Sequence, residues 1–108
     1  MKQFEVIYLQ VKNNKEPLFE WLKTLDTITR KRILQRLLRL TEGNFGDYKK
    51  IDDDISEIRF MHGSGYRIYF TEINEIILLL INGGDKSTQV KDIKKAKELL
   101  EQWRIEND

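Results

Sequence analysis

The chain has 108 residues, with 19 Lys and Arg against 18 Asp and Glu, a formal net charge of +1. That length suits one compact domain over residues 1–108, and the balanced charge argues against an indiscriminate nucleic-acid binder, which is usually strongly basic. Cysteine is absent, which excludes disulfides, thiol nucleophiles and zinc-thiolate sites; with no signal-peptide pattern and no apolar run of spanning length, a cytoplasmic protein is expected.

Phe4 to Val11 (FEVIYLQV) is rich in β-branched and aromatic residues and reads as a first strand. Asn13-Asn14-Lys15 breaks it, and Pro17 fits the first position of a helix. Leu18, Trp21, Leu22 and Leu25 carry that helix to about Leu25. Asp26 or Thr27 can cap a second helix that runs to Glu42 and stops at Gly43. Ile33, Leu34, Leu37, Leu38 and Leu40 form its apolar arc, with Arg32, Arg36 and Arg39 opposite. The two helices are expected as a hairpin packed on a sheet.

Gly43 to Asp47 reads as a loop. Ser56 to Phe70 reads as a β-hairpin closed by a three-residue Gly-Ser-Gly loop, which pairs Phe60 with Ile68 and Arg59 with Tyr69. Ile58, Phe60, Ile68 and Phe70 then share the core face; Glu57, Arg59, Met61, Arg67, Tyr69 and Thr71 share an open one. Arg59 and Arg67 become diagonal neighbours, roughly 7–8 Å apart at their backbones. Such a pair can clamp a phosphate with forked donors; pairing with Glu57 on a solvated face is the other reading.

Asn74 turns the chain into Ile76 to Ile81, apolar on both faces and so expected as a central strand, ended by Gly83-Gly84-Asp85-Lys86. Ser87 or Thr88 caps a last helix carrying Val90, Ile93, Ala96, Leu99, Leu100 and Trp103 on one arc. The expected class is α+β, in the order β-α-α-β-β-β-α, with a mainly antiparallel sheet packed by the helical hairpin and a C-terminal helix.

In this order, RLLRLTEGNFGDYKKI (Arg36 to Ile51), ISEIRF (Ile55 to Phe60), GSGYRIYF (Gly63 to Phe70) and INGGDKSTQVKDIKKAKEL (Ile81 to Leu99) resemble the RelE/ParE superfamily of bacterial toxins. The resemblance is to its HigB-like branch of addiction-module killer proteins and extends over nearly the whole chain. It implies the toxin of a type II toxin-antitoxin system, held silent by a cognate antitoxin, a small helix-turn-helix DNA-binding protein. For a nuclease of this kind the further partners are the ribosome and messenger RNA, and no cofactor or metal is implied. ParE-like members instead poison DNA gyrase, and a degenerate toxin would only bind its antitoxin. The chain departs from the pattern at Asp52-Asp53-Asp54, and Ile93 occupies the neighbourhood of a tyrosine that many RelE-like nucleases carry.

Metal-free RNA cleavage needs a base for the ribose 2′-OH, cations for the phosphorane and an acid for the leaving oxygen. Arg67, in the GYR element, is the first candidate for the scissile phosphate, with Arg59 beside it. The resemblance points to Lys86, after the Gly83-Gly84 turn, as a phosphate contact; a helix-start lysine is the plainer reading. His62, the one histidine, stands at the hairpin mouth and is a candidate base, or else a solvated strand-end residue. Lys49, Lys50, Arg32, Arg36 and Arg39 are candidate RNA contacts, with a solvated surface as the alternative. Asp92 falls on the sheet-facing arc of the last helix, where relatives use an aspartate; it is expected to orient Arg67, Lys86 or His62, or to serve only as a cap. Trp21 and Trp103 lie on leucine-bearing arcs and are expected in the core, and Asp52 to Asp54 read as a turn without the rest of a calcium loop.

Overall fold

A computed structural model describes residues 3–107 of the chain. One five-stranded sheet runs in the order β1-β5-β4-β3-β2, built from β1 (Glu5–Tyr8), β2 (Tyr48–Lys50), β3 (Ser56–Arg59), β4 (Arg67–Ile73) and β5 (Ile77–Gly84). β1 pairs with β5 in parallel; the other neighbours are antiparallel. The α+β class expected from the sequence is therefore present, with one additional strand. The additional strand is β2, which the pattern does not mark because its three exposed residues carry no apolar alternation.

Helices α1 (Pro17–Lys23) and α2 (Thr27–Leu38) cover one face of the sheet. Pro17 opens α1, and the Asp26 side chain accepts from the Thr29 amide to cap α2. A tight 3-10 turn, Arg39–Glu42, follows, ending at Gly43 in the left-handed conformation (φ 80°). Leu18, Leu22, Ile33, Leu37 and Leu40 pack onto Ile58, Phe60, Ile68, Phe70, Leu78 and Leu80. Leu34 and Leu38, expected in the same arc, remain at the surface.

Helix α3 (Gln89–Glu106) covers the other face through Ala96, Leu99 and Leu100, which pack on Leu9, Ile55, Tyr69, Leu79 and Ile81. Val90, assigned to that apolar arc, is exposed. The face of the hairpin expected to be open is thus closed over most of its length, and Glu57, Tyr69 and Thr71 are buried. The Asp52 to Asp54 turn also helps to fasten α3: Asp52 pairs with Lys97 at 2.5 Å and Asp54 with Arg104 at 3.0 Å.

The alternating pattern assigned the hairpin faces correctly, but the register differs by two residues. Arg59 stands directly opposite Arg67, and Ile58 opposite Ile68. The connection is longer than Gly-Ser-Gly: the Phe60 amide bonds the Tyr66 carbonyl, and a turn closes from His62 to Gly65. A shift of two leaves every side chain on its face, so the face assignment survived the error.

β5 runs through Gly83 and Gly84 instead of ending before them. A register shift between Tyr69 and Phe70 leaves Ile81 as the extra residue on β5. Beyond it Asn82 lies opposite Tyr69, Gly83 opposite Ile68 and Gly84 opposite Arg67. A Cβ on Gly83 would meet the Trp21 ring at 2.4 Å, and one on Gly84 the Asp92 carboxylate at 1.8 Å. Glycine is needed at both positions for close approach from the helices on either face.

Candidate functional site

Three elements converge at the hairpin end of the sheet. The loop from Met61 to Gly65 joins β3 to β4, and its tip is tied to the turn before α3. Ser64 donates to Asp85 at 3.3 Å, and the Lys86 amide donates to the Ser64 carbonyl at 3.3 Å. Asp85 caps that turn through Ser87 and Thr88. The Ser87 hydrogen bonds, and then Ser64, draw the Asp85 carboxyl below its ordinary value.

The convergence leaves a cleft of ≈ 450 Å³ walled by Arg59, Arg67, Lys86, Tyr66 and Asp47. The first three were singled out from sequence as phosphate ligands, and they line the same cavity. Tyr66 and Asp47 were not anticipated. Tyr66 packs edge-on to Trp21, with ring centroids 6.0 Å apart, which fixes the aromatic wall. Its adjacency to Arg67 in GSGYR was the one signal in the sequence.

Arg59 and Arg67 are held by different acids. Arg59 Nη2 donates to Asp47 at 2.9 Å. Arg67 lies with Nε 3.7 Å from Glu57 and donates from Nη1 to the Gly65 carbonyl at 2.9 Å. The expected alternative for Arg59, an ion pair with Glu57, is thus taken by its neighbour. Arg67 does not project from an open surface as expected: its side chain is 14% exposed and that of Glu57 2%.

Behind Arg67 lies a buried polar group that sequence reasoning missed. Gln89, the first residue of α3, donates to both Glu57 carboxylate oxygens, at 3.1 and 3.4 Å. The buried Tyr69 hydroxyl has no hydrogen-bond partner among the described residues. Burial raises its phenol well above the ordinary range, the Glu57 and Asp92 carboxylates add to this, and Arg67 opposes it. Tyr69 is therefore a neutral phenol.

Asp92 faces the sheet as expected, but among the described residues no cation lies in ion-pair range of it. Its carboxylate accepts from Thr88 at 2.5 Å over Gly84, and its carbonyl accepts from Asn82 at 3.1 Å. Its observed role is to close the start of α3 onto β5.

His62 stands outside the cleft, in a neighbouring recess of ≈ 250 Å³ with Arg32, Gln35, Arg36 and Arg39. Phe60 and Met61 border both cavities. The His62 ring lies 5.7 Å from that of Tyr66, and its Nε2 is buried without a hydrogen-bond partner among the described residues.

Arg36 is not a solvated residue. It donates to the carbonyls of Arg59, Phe45 and Asp47, and its guanidinium lies 4.6 Å over the Phe60 ring. Burial lowers its pKa, and the Asp47 carboxylate works the other way. Arg36 thereby clamps the segment that carries Asp47 onto the end of β3. Arg32 and Arg39 are exposed beside it, whereas Lys49 and Lys50 lie on the edge strand β2, outside both cavities. Trp21 and Trp103 pack against the two cores, as their helical positions implied.

Among the described residues no group of His, Asp and Glu could hold a metal ion, and no helix is long and apolar enough to cross a membrane.

Comparison with known proteins agrees with this architecture. Residues 20–102 match the family model described as Phage derived protein Gp49-like. A Haemophilus influenzae (strain Rd) protein is 47% identical over 83 residues, which cover 76% of this chain and 84% of that protein. Among solved structures, a double mutant of the E. coli toxin RelE in the free state aligns with a TM-score of 0.61 at 19% identity, covering 88% of this chain and 98% of that one. The chain belongs to the Gp49-like phage-derived protein family, and its sheet and helices are arranged in the RelE fold.

Proposed function

We propose that this protein is the toxin of a type II toxin-antitoxin system and that it cuts messenger RNA on the ribosome. The observation that carries this reading is the grouping of Arg59, Arg67 and Lys86 around one cleft, whose lining among the described residues has Asp47 as its only carboxylate. Three cations against Asp47 and the buried Glu57 behind Arg67 leave the wall net positive, which favours an anionic ligand, and two forked arginines suit phosphate oxygens. The reaction is attack of a ribose 2′-OH on its own phosphate, leaving a 2′,3′-cyclic phosphate and a free 5′-OH. Arg67 and Arg59 stabilise the phosphorane, Lys86 binds the adjoining phosphate, His62 takes the 2′ proton from the bordering recess, and water protonates the leaving 5′ oxygen. Arg32 and Arg39 extend the path for RNA beyond Met61.

The partner is a cognate antitoxin. An apolar groove of ≈ 570 Å³ lies between β1 and α2, lined by Val6, Tyr8, Leu34, Leu37 and Leu38, and it supports docking of an apolar protein segment away from the cleft. The apolar strand β5 offers no such surface, because both its faces are covered internally.

Primer extension on cellular messenger RNA after induction tests the reading. Cuts inside translated codons are expected. Intact RNA with gyrase-trapped DNA breaks would replace it with gyrase poisoning, a reading favoured by the position of His62 outside the cleft.

A further inference from the structure

We infer that Glu57 is a positioning residue of the cleft, one that holds Arg67 in a single orientation for phosphate; this rests on the nuclease reading above. Glu57 stands on β3 opposite Tyr69, one diagonal step from Arg67. Its side chain is 2% exposed, and among the described residues Arg67 is the only cation in ion-pair range. A buried carboxylate requires a cation and hydrogen-bond donors. Here the cation is Arg67 and the donor is Gln89, which reaches both carboxylate oxygens from the start of α3.

The consequence for Arg67 is specific. Its Nε side faces Glu57 and its Nη1 is engaged by the Gly65 carbonyl, while Nη2 has no protein partner among the described residues. Nη1 is fixed by a hydrogen bond, Nε is buried beside Glu57 with no hydrogen-bond partner among the described residues, so that the ion pair and burial hold that side, and Nη2 remains for a substrate oxygen in the cleft that Arg67 lines. Arg59 is different, because its Nη2 is engaged by Asp47. A donor already oriented costs no reorganisation when charge develops on the phosphorane. The chain Gln89–Glu57–Arg67 thus couples the start of α3 to the cleft without Glu57 touching substrate.

The test is cleavage of a short message on purified ribosomes by wild type, Glu57→Gln, Arg67→Ala and the double variant. Glu57→Gln is expected to lower the maximal rate roughly 10–100-fold, with the half-saturating ribosome concentration within about twofold of wild type and no further loss in the Arg67→Ala background. A multiplicative loss in the double variant would overturn the inference, since Glu57 would then act through the fold at large. A wild-type rate in folded Glu57→Gln would overturn it as well. If Glu57→Gln does not fold, Gln89→Met, which removes the donor that orients Glu57, is expected to lower the rate with no further loss in the Arg67→Ala background, and a wild-type rate overturns the inference. The Arg67 Nε–H signal in nitrogen-15 NMR, which needs no RNA, is expected as one slowly exchanging resonance in wild type; an averaged, fast-exchanging signal refutes the hold. Absence of cleavage by wild type overturns the nuclease reading itself, and the NMR signal then reports separately on whether Glu57 holds the guanidinium.

Discussion

Arg59 and Arg67 stand directly opposite one another across β3 and β4, yet each is paired with its own carboxylate, Asp47 for Arg59 and Glu57 for Arg67. Like charges facing across a strand pair destabilise it, so the two acids are what allow both arginines at one end of the sheet. The acids are unequal: Asp47 is partly solvated, whereas Glu57 is buried. The two arginines should therefore respond differently to truncation.

Arg67→Ala is expected to abolish toxicity and also to destabilise the fold. Losing a preorganised donor costs roughly 10²–10³ in rate. Leaving Glu57 buried without its cation costs about 3 kcal/mol or more. Thermal melting beside growth arrest checks both; an unchanged melting temperature would show that Glu57 tolerates the loss.

Lys86→Ala separates chemistry from stability. Lys86 is exposed and its ammonium has no protein partner among the described residues, so stability should change by no more than about 0.5 kcal/mol. Message cleavage should fall at least about tenfold. Full activity in this variant would leave Lys86 as a turn residue only.

Leu34→Glu with Leu38→Glu is expected to break antitoxin rescue while sparing toxicity. The two side chains are 38% and 72% exposed, so the charges cost the fold little, but an apolar partner cannot cover them. Co-purification with the product of the adjacent gene is the measurement; retained co-purification would put the interface elsewhere.

Gly84→Ala should be destabilising by about 1–3 kcal/mol, because its methyl group would overlap the Asp92 carboxylate. Asp92→Ala should relieve most of that loss when combined with it, as expected for two groups in direct contact. Equal losses with and without Asp92 would point to the backbone of β5 instead.

The Asp52–Lys97 pair predicts a pH window for the docking of α3. The Lys97 contact and the Ile55 amide hold the Asp52 carboxyl below its ordinary value of 3.8. That contribution is present above pH 4 and lost as pH falls through the lowered value. Asp52 raises Lys97 above 10.5, so its share is complete below that pH and lost as pH rises beyond the raised value. Asp52→Asn should flatten both limbs of the melting-temperature profile. The effect should be small, because Lys97 is half exposed and Asp52 about a third exposed, so solvent screens the pair.

What could be read in the chain itself was periodicity and punctuation. Spacing of 3.6 located α1, α2 and α3, while Asp26 and Gly43 marked the limits of the second helix and its closing turn. Alternation sorted Ile58, Phe60, Ile68 and Phe70 onto the core face, and an uninterrupted apolar run marked β5 as covered on both sides. The GYR and GGDK segments supplied Arg67 and Lys86, which do share a cleft. The tertiary structure decided the rest. Period-two alternation specifies a face but not a register, so only the folded loop could place Arg59 opposite Arg67. An arginine opposite a leucine arc looks solvated until another segment arrives, as the Phe45 to Asp47 segment does over Arg36. Glu57 looked like a surface acid because the residue that buries and fixes it, Gln89, lies on a helix 32 positions further along the chain.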